Sequence, residues 1–226
     1  MSYYLIGGGL GLFSGLMLYF LALHHVRVRS EFDKKNIYKK IQNRKYALVW
    51  MLVTMLMFLV IAYCQSVNGH IENYYDCWLL IRIILFAVLA IDVSAVDILM
   101  RRIPNAILLG MLLLEAVNIG LNTWIGQDLV EQLFQAIIGA AIAYGIFSLP
   151  MAFKLTAGMG DVKYSVLLGF MLGAGNFFEA MAVMSIMNLL VFFYLVVVGK
   201  GNLKTAVPMA PLLSTGAMVA LLAPIF

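Results

Sequence analysis

Long apolar stretches alternate with short polar connections along the whole chain. Most are close to the roughly 20 residues that an α-helix needs to cross a bilayer, but the sixth is shorter. Because lipid cannot satisfy backbone polar groups, we expect the stretches to be helices and the sixth to be half-buried or broken. The pattern therefore predicts an all-α, polytopic transmembrane bundle of about eight helices, near 3–23, 46–66, 78–97, 103–121, 132–152, 164–176, 177–198 and 207–226.

Basic residues mark one side of this predicted bundle. Fourteen of the 15 lysines and arginines fall in the first, third, fifth and seventh connections, whereas the other connections carry acidic residues and no basic ones. Basic residues are enriched in the cytoplasmic loops of membrane proteins. The charge pattern thus predicts a multi-pass protein with its odd-numbered connections in the cytoplasm and both termini outside. The exception, Arg82, lies near the outer end of the third stretch, where a long side chain can reach the membrane boundary.

The composition also indicates a membrane protein. Hydrophobic residues make up 64% of the chain and charged residues 12%, whereas about a quarter of the residues in soluble domains are charged. The net charge of +4 does not indicate nucleic acid, because the basic residues cluster in a loop at 24–45 that is expected to touch anionic lipid headgroups. We predict a single membrane domain at 1–226. Cys64 and Cys77 flank an external connection and are either unpaired or joined in a disulfide.

Four acidic residues lie in or next to the apolar stretches, where an ionisable group is costly and marks a candidate functional site. Asp97 ends the third stretch and Asp161 begins the sixth, both on the predicted cytoplasmic side. Asp92 lies on a different face of the helix that carries Asp97, and Glu115 lies within the fourth stretch. Two carboxylates held close together share one proton, which is the requirement for aspartic proteolysis.

Each aspartate at the cytoplasmic side lies in a distinctive motif. In "AVDILMRRIPNAIL", Pro104 removes a backbone donor and predicts a tight turn between the third and fourth helices. In "TAGMGDVKYS", Gly158 and Gly160 permit positive φ and close backbone approach beside the acid. In an aspartic protease the ionised carboxyl takes a proton from water while the protonated one polarises the scissile carbonyl, without a metal or organic cofactor.

The charge pattern alone leaves other interpretations open. Asp97 can pair with Arg101 one turn later, and Asp161 can pair with Lys163 or be stabilised by the dipole of a helix start. Intramembrane acids and broken helices also occur in proton-coupled transporters, in which the acids deep in the bilayer would matter most. A non-catalytic scaffold of a pilus or secretion system would need none of these acids.

Taken together, the two motifs resemble those of the prepilin peptidase family, the GxGD-type intramembrane aspartic proteases of bacteria. "DILMRRIPN" is similar to the first family motif, in which an aspartate stands eight residues before the last residue of an Ile-Pro-Asn turn. "GMGDVK" is similar to the second, in which GxGD is followed by a variable residue and lysine. "GLGLFSGLMLYF" and "VPMAPLL" at 207–213 resemble further family segments. The resemblance implies that Asp97 and Asp161 are catalytic and that the other motif residues support them: Arg101, Arg102, Pro104, Asn105, Gly158, Gly160 and Lys163.

The resemblance also implies a reaction and its place. The family cleaves basic leader peptides from prepilins and pseudopilins at the cytoplasmic face of the bacterial cytoplasmic membrane, so the expected partners are such a substrate and membrane lipids. The expected catalytic helices lie at 78–176, with Asp92 in a supporting position next to the two aspartates. No cofactor or metal is expected. Long family members that also N-methylate carry two CxxC pairs in the first connection, which has no cysteine here, so methyltransferase activity is not expected.

Overall fold

The computed structural model describes residues 2–29, 44–68, 74–152, 158–198 and 207–223, which form helices joined by short turns. Within these ranges no strand forms, and seven helices follow in order: α1 (Ser2–Arg29), α2 (Arg44–Asn68), α3 (Tyr74–Met100), α4 (Asn105–Trp124), α5 (Leu129–Ala152), α6 (Met159–Val197) and α7 (Met209–Leu222). By length and composition, α3, α4, α5 and α6 can each cross a membrane. The prediction of an all-α transmembrane bundle is confirmed.

Several parts of the predicted topology lie outside the described residues. α1 continues to Arg29 and α2 begins at Arg44, so both ends of the predicted basic loop at 24–45 are helical. Positions 30–43 lie outside the described residues, as do further charges on which the topology prediction depends, namely Glu72, Lys154, Lys200 and Lys204. The predicted orientation in the membrane therefore stays a prediction.

The chain divides into two compact units, Met1–Arg101 and Arg102–Phe226. In the first unit α1 packs along α2, and α3 packs against both. The backbones of α1 and α2 approach closely at Gly11, where an added Cβ atom would lie only 2.7 Å from the Met55 Cα atom. Thr54 Oγ1 also donates to the Gly11 carbonyl oxygen at 2.8 Å. Small residues and a short polar contact are the usual way in which membrane helices associate. The single-domain prediction stays a prediction.

In the second unit α6 is the central helix, and it packs against α5, α7 and α4. The backbones of α5 and α6 touch where Gly139 faces Gly169, because a Cβ atom on either glycine would overlap the carbonyl oxygen of the other. α7 approaches α6 in the same way, since a Cβ atom on Gly216 would overlap the Ala180 carbonyl oxygen. Three helices of this unit are therefore held at backbone contact by glycine.

α6 bends sharply at Gly173, which has φ 71 and ψ −179, a conformation that is essentially restricted to glycine. Tyr164 hydrogen-bonds to Ser214 on α7, and Ala180 contacts Gly216 on the same helix. These two positions of α7 lie about 3 Å apart along its axis, whereas a straight helix would separate residues 164 and 180 by about 24 Å. The two halves of α6 must therefore converge on one level of α7.

The bend divides α6 into a first arm at 159–172 and a second arm at 174–197. The first arm is about 21 Å long, shorter than the roughly 30 Å of a hydrocarbon core, and many of its side chains are buried. These arms correspond to the predicted sixth and seventh stretches, so the expectation of a half-buried or broken helix is confirmed. With the arms counted separately, the described residues form the eight predicted helical segments.

Candidate active site

Asp97 lies in the last turn of α3, within a part of the helix that is enclosed on all sides. Asp97 is 5% exposed and Asp92 is 4% exposed. Asp92 and Asp97 lie on different faces of α3, because five residues separate them. Both faces are covered there, since every residue of the stretch 90–97 is buried. Ser94, between them, donates to the Ala90 carbonyl oxygen at 2.7 Å. The end of α3 thus presents two carboxyl groups in an apolar setting, where ionisable groups are uncommon.

The residues after Asp97 form the predicted tight turn between α3 and α4. The Arg101 N–H donates to the Asp97 carbonyl oxygen at 2.8 Å, and Arg101 then adopts φ 50, which ends the helix. Arg101 and Arg102 are exposed, whereas Ile103 and Pro104 are buried. Pro104 caps α4 in an extended conformation, and α4 begins at the exposed Asn105.

Asp161 lies in the first turn of α6, and its side chain folds back towards the start of that helix. Gly158 caps the helix, and its carbonyl oxygen accepts from the Asp161 N–H at 3.0 Å. A Cβ atom on Gly158 would lie 2.7 Å from Asp161 Oδ2, so the carboxylate occupies the space that a side chain at 158 would need. Lys163 is exposed, and Asp161 is half-buried. The carboxylate therefore lies at the positive end of the α6 dipole.

The two glycines of GMGD provide close approach and do not adopt positive φ. Gly158 has φ −71, and within the described residues the glycines with positive φ are Gly126 and Gly173. A Cβ atom on Gly160 would lie 3.4 Å from Ile103 Cβ, which is ordinary van der Waals contact. Ile103 of the Ile-Pro-Asn turn thus packs against Gly160 of the GMGD motif within the second unit. The structure brings these two motifs together although 57 residues separate Ile103 from Gly160.

Glu115 has a hydrogen-bonding partner on its own helix. Asn118 Nδ2 donates to Glu115 Oε1 at 3.0 Å, and each residue is 4% exposed. The two residues are one turn apart on α4, so they are neighbours on one face. This arrangement satisfies one oxygen of a buried carboxyl group by local pairing.

Glu179 is a buried acid that the sequence pattern did not single out as a candidate. It lies in the second arm of α6, six residues after the bend at Gly173, and is 5% exposed. The buried Tyr164 and Ser214 were also missed, because an isolated tyrosine or serine in an apolar stretch gives no periodic signal.

Two further features of the sequence concern metal ions and disulfides. Cys64 and Cys77 are both free thiols, so the possible disulfide is not formed. Among the residues that the structure describes, no three or more His, Cys, Asp and Glu side chains are grouped in a way that could hold a metal ion.

Comparison with known proteins identifies a family. Residues 83–225, more than half of the chain, match the model of the type IV leader peptidase family. The matched range contains both aspartates, the Ile-Pro-Asn turn, the GMGD motif and the whole second unit up to residue 225. No curated protein and no solved structure matches the chain.

Proposed function

The chain belongs to the type IV leader peptidase family and is a peptidase, and we propose that it is an aspartic endopeptidase that removes the basic leader peptide from type IV prepilins or pseudopilins. Asp97 and Asp161 form the catalytic pair. The observation that carries the proposal is the packing of Ile103 on Gly160, because it joins the turn that follows Asp97 to the motif that contains Asp161. The contact itself lies within the second unit, and the family match over residues 83–225 supports a role for both motifs.

The helix dipoles favour different roles for the two aspartates. Asp161 lies in the first turn of α6, where partial positive charge stabilises an anion. Asp97 lies in the last turn of α3, where partial negative charge disfavours an anion, and its burial adds to that effect. When the pair shares one proton, Asp161 is therefore the ionised member and Asp97 carries the proton.

Proteolysis then proceeds in two steps that return both groups to their starting state. Asp161 takes a proton from water, the water oxygen bonds to the scissile carbonyl carbon, and Asp97 gives its proton to the carbonyl oxygen. Asp161 next gives its proton to the amide nitrogen, the carbon–nitrogen bond breaks, and Asp97 takes a proton from one hydroxyl of the diol. The products are a carboxylic acid and an amine. No step needs a group other than the two carboxyls and water.

The membrane setting supports a substrate that is itself anchored in the bilayer. The four long apolar helices place this chain in a membrane, and both aspartates lie within a few residues of helix ends. A prepilin has a basic leader followed by an apolar helix, so its helix can stay in the bilayer while the leader reaches the ends of α3 and α6. Because basic residues follow α3 and begin α6, cleavage takes place at the cytoplasmic face of the bacterial membrane, with both termini of the chain outside. The exposed Arg101, Arg102 and Lys163 lie at this face.

Prepilin processing in cells tests the proposal. The chain is co-expressed with a prepilin, and the mature form is measured for Asp97→Asn and Asp161→Asn, which remove the proton chemistry with little change in shape. We expect both variants to lose processing by at least about a hundredfold, because catalysis by a positioned acid or base contributes roughly that much. Glu131→Gln is a matched control, because Glu131 is an exposed acid in the first turn of α5. Normal processing by both aspartate variants would refute the proposed function.

Glu115→Gln separates a protease from a proton-coupled transporter. Its partner Asn118 can hydrogen-bond to an amide as well as to a carboxylate, so a protease should keep its processing activity. If Glu115→Gln abolishes prepilin processing while both aspartate variants keep it, processing depends on Glu115, and Asp97 and Asp161 are not a catalytic pair.

A further inference from the structure

The hydrogen bond between Tyr164 and Ser214 links the arm that carries Asp161 to α7. The two hydroxyl oxygens lie 2.7 Å apart, and both residues are buried, Tyr164 completely. Ser214 also donates to the Ala210 carbonyl oxygen at 2.7 Å. Because that bond uses the serine proton, Tyr164 donates to Ser214 Oγ, and Ser214 donates to the backbone of α7.

Tyr164 lies close to Asp161 on the first arm of α6. The two residues are three positions apart, so their side chains leave the same side of the helix about one turn from each other. The Tyr164 ring is enclosed by the protein, whereas Asp161 is half-buried at the end of the arm. Tyr164 thus hydrogen-bonds to another helix of the second unit, α7, at a position one turn after Asp161.

The length of the first arm makes the position of Asp161 sensitive to any rotation at Gly173. Asp161 is 12 residues from Gly173, which corresponds to about 18 Å along the arm. A rotation of about 5° at the bend would therefore move Asp161 by about 1.6 Å. Misplacing a catalytic group by about 1 Å can reduce a rate by about a hundredfold. The arm must therefore be held firmly for Asp161 to work.

α7 is placed to hold the arm because it contacts α6 on both sides of the bend. Ser214 meets the first arm at Tyr164, and Gly216 meets the second arm at Ala180. The Gly139–Gly169 contact between α5 and α6 also holds the first arm, but Gly169 is only about 6 Å from the bend along the helix, whereas Tyr164 is about 13.5 Å away. The Tyr164 hydrogen bond lies farther from the bend and therefore limits rotation of the arm more effectively than the Gly139–Gly169 contact does.

We propose that Tyr164 is a positioning residue, whose hydrogen bond to Ser214 holds the first arm of α6 against α7 and so fixes Asp161 for catalysis. The proposal rests on the proposed function for its catalytic part. The structural part, the holding of the arm by α7, does not depend on what the chain cleaves.

Tyr164→Phe is the sharpest perturbation, because it removes one hydroxyl and keeps the ring. Ser214 keeps its bond to Ala210 in this variant, so the fold should survive. We expect the kcat for prepilin cleavage to fall about two- to tenfold, roughly the factor that one neutral hydrogen bond controls, while KM stays within about twofold. Tyr194→Phe is the matched control, since Tyr194 is 64% exposed on the second arm of the same helix.

Ser214→Ala tests the other partner of the bond. Its effect on kcat should equal or exceed that of Tyr164→Phe, and the double variant should be no worse than Ser214→Ala alone, because both changes break the same contact. Ser185→Ala is the matched control, since Ser185 also donates to a carbonyl four residues earlier, at 2.8 Å, but is exposed. Simple addition of the two effects on a logarithmic scale would overturn the link between Tyr164 and Ser214.

A distance measurement tests the structural part without substrate. Spin labels are placed at the exposed Met159 and Val219, one on the first arm and one on α7, in a chain whose two cysteines are replaced by serine. We expect Tyr164→Phe to broaden the distribution of distances between the labels. An unchanged distribution or a wild-type kcat in Tyr164→Phe would overturn the proposal. If the wild-type chain cleaves no prepilin, the proposed function fails, but the distance measurement still decides whether the hydrogen bond holds the arm.

Discussion

Replacing Gly158 by alanine should move the Asp161 carboxylate without unfolding the protein. The new Cβ atom would lie 2.7 Å from Asp161 Oδ2, and ordinary contact begins near 3.4 Å, so the carboxylate must move by about 0.7 Å. The atom in the way is the end of a flexible side chain, which can rotate. A displacement of this size at a reacting group should lower kcat by about 10- to 100-fold, equivalent to about 1.4–2.7 kcal/mol of activation free energy.

The stability of the Gly158→Ala protein should change by less than about 1 kcal/mol. Gly158 has φ −71 and ψ 120, which alanine adopts without strain. Alanine is a poorer helix cap than glycine, but it also reduces the entropy of the unfolded chain, and the two effects oppose each other. Gly158→Ala should therefore lose activity and keep its stability, whereas a variant that simply unfolds would lose both.

Both quantities are measured on protein purified in detergent. Cleavage of a prepilin substrate gives kcat, and thermal unfolding gives the stability. Two other alanine variants make the test graded. Gly160→Ala adds a Cβ atom at ordinary contact distance from Ile103 and should lose less activity than Gly158→Ala. Gly145→Ala adds one in open space and should lose none. If Gly158→Ala keeps full activity, the carboxylate position next to Gly158 is not the one used in catalysis, and the reasoning is refuted.

Two other features of the fold give direct predictions. Gly139→Ala and Gly169→Ala should each destabilise the protein by about 1–3 kcal/mol in thermal unfolding, because a Cβ atom overlaps the facing backbone, and stability equal to that of Gly145→Ala would contradict the backbone contact. In a Cys64→Ser chain, an impermeant maleimide should label the exposed Cys77 from outside intact cells, and labelling only after permeabilisation would reverse the proposed orientation.

Helix positions could be predicted from the apolar pattern because each stretch is long and has few charges. The fourth stretch was predicted at 103–121 and α4 runs from Asn105 to Trp124, with its start fixed by Pro104. The pattern also identified the sixth stretch as too short for an ordinary span. It placed the end of that stretch at 176, because "GAGN" follows the last long apolar residue there and no local signal distinguishes its glycines. The actual break is at Gly173, which has a positive φ.

The candidate site was predictable only in part, for a different reason. Asp97 and Asp161 stand out because a carboxylate in an apolar stretch is costly. The roles of their neighbours depend on contacts across the fold: Gly160 packs on Ile103, and Tyr164 bonds to Ser214, which is 50 residues away. Gly158 was expected to offer positive φ, yet it provides room for a side chain three residues later. A local pattern contains propensity and periodicity but no information about such partners.

The bend in α6 also reconciles the charge pattern with the helix. A straight helix of 39 residues would be about 58 Å long, almost twice the roughly 30 Å of a hydrocarbon core. It would place Lys163 and the basic residues that follow α6 far apart, and on opposite sides of a bilayer, which conflicts with the preference of basic residues for the cytoplasm. A sharp bend at Gly173 agrees with the predicted orientation, in which both ends of α6 lie on one side. The bend divides α6 into arms of about 21 Å and about 36 Å, which contact α7 at Ser214 and Gly216 respectively.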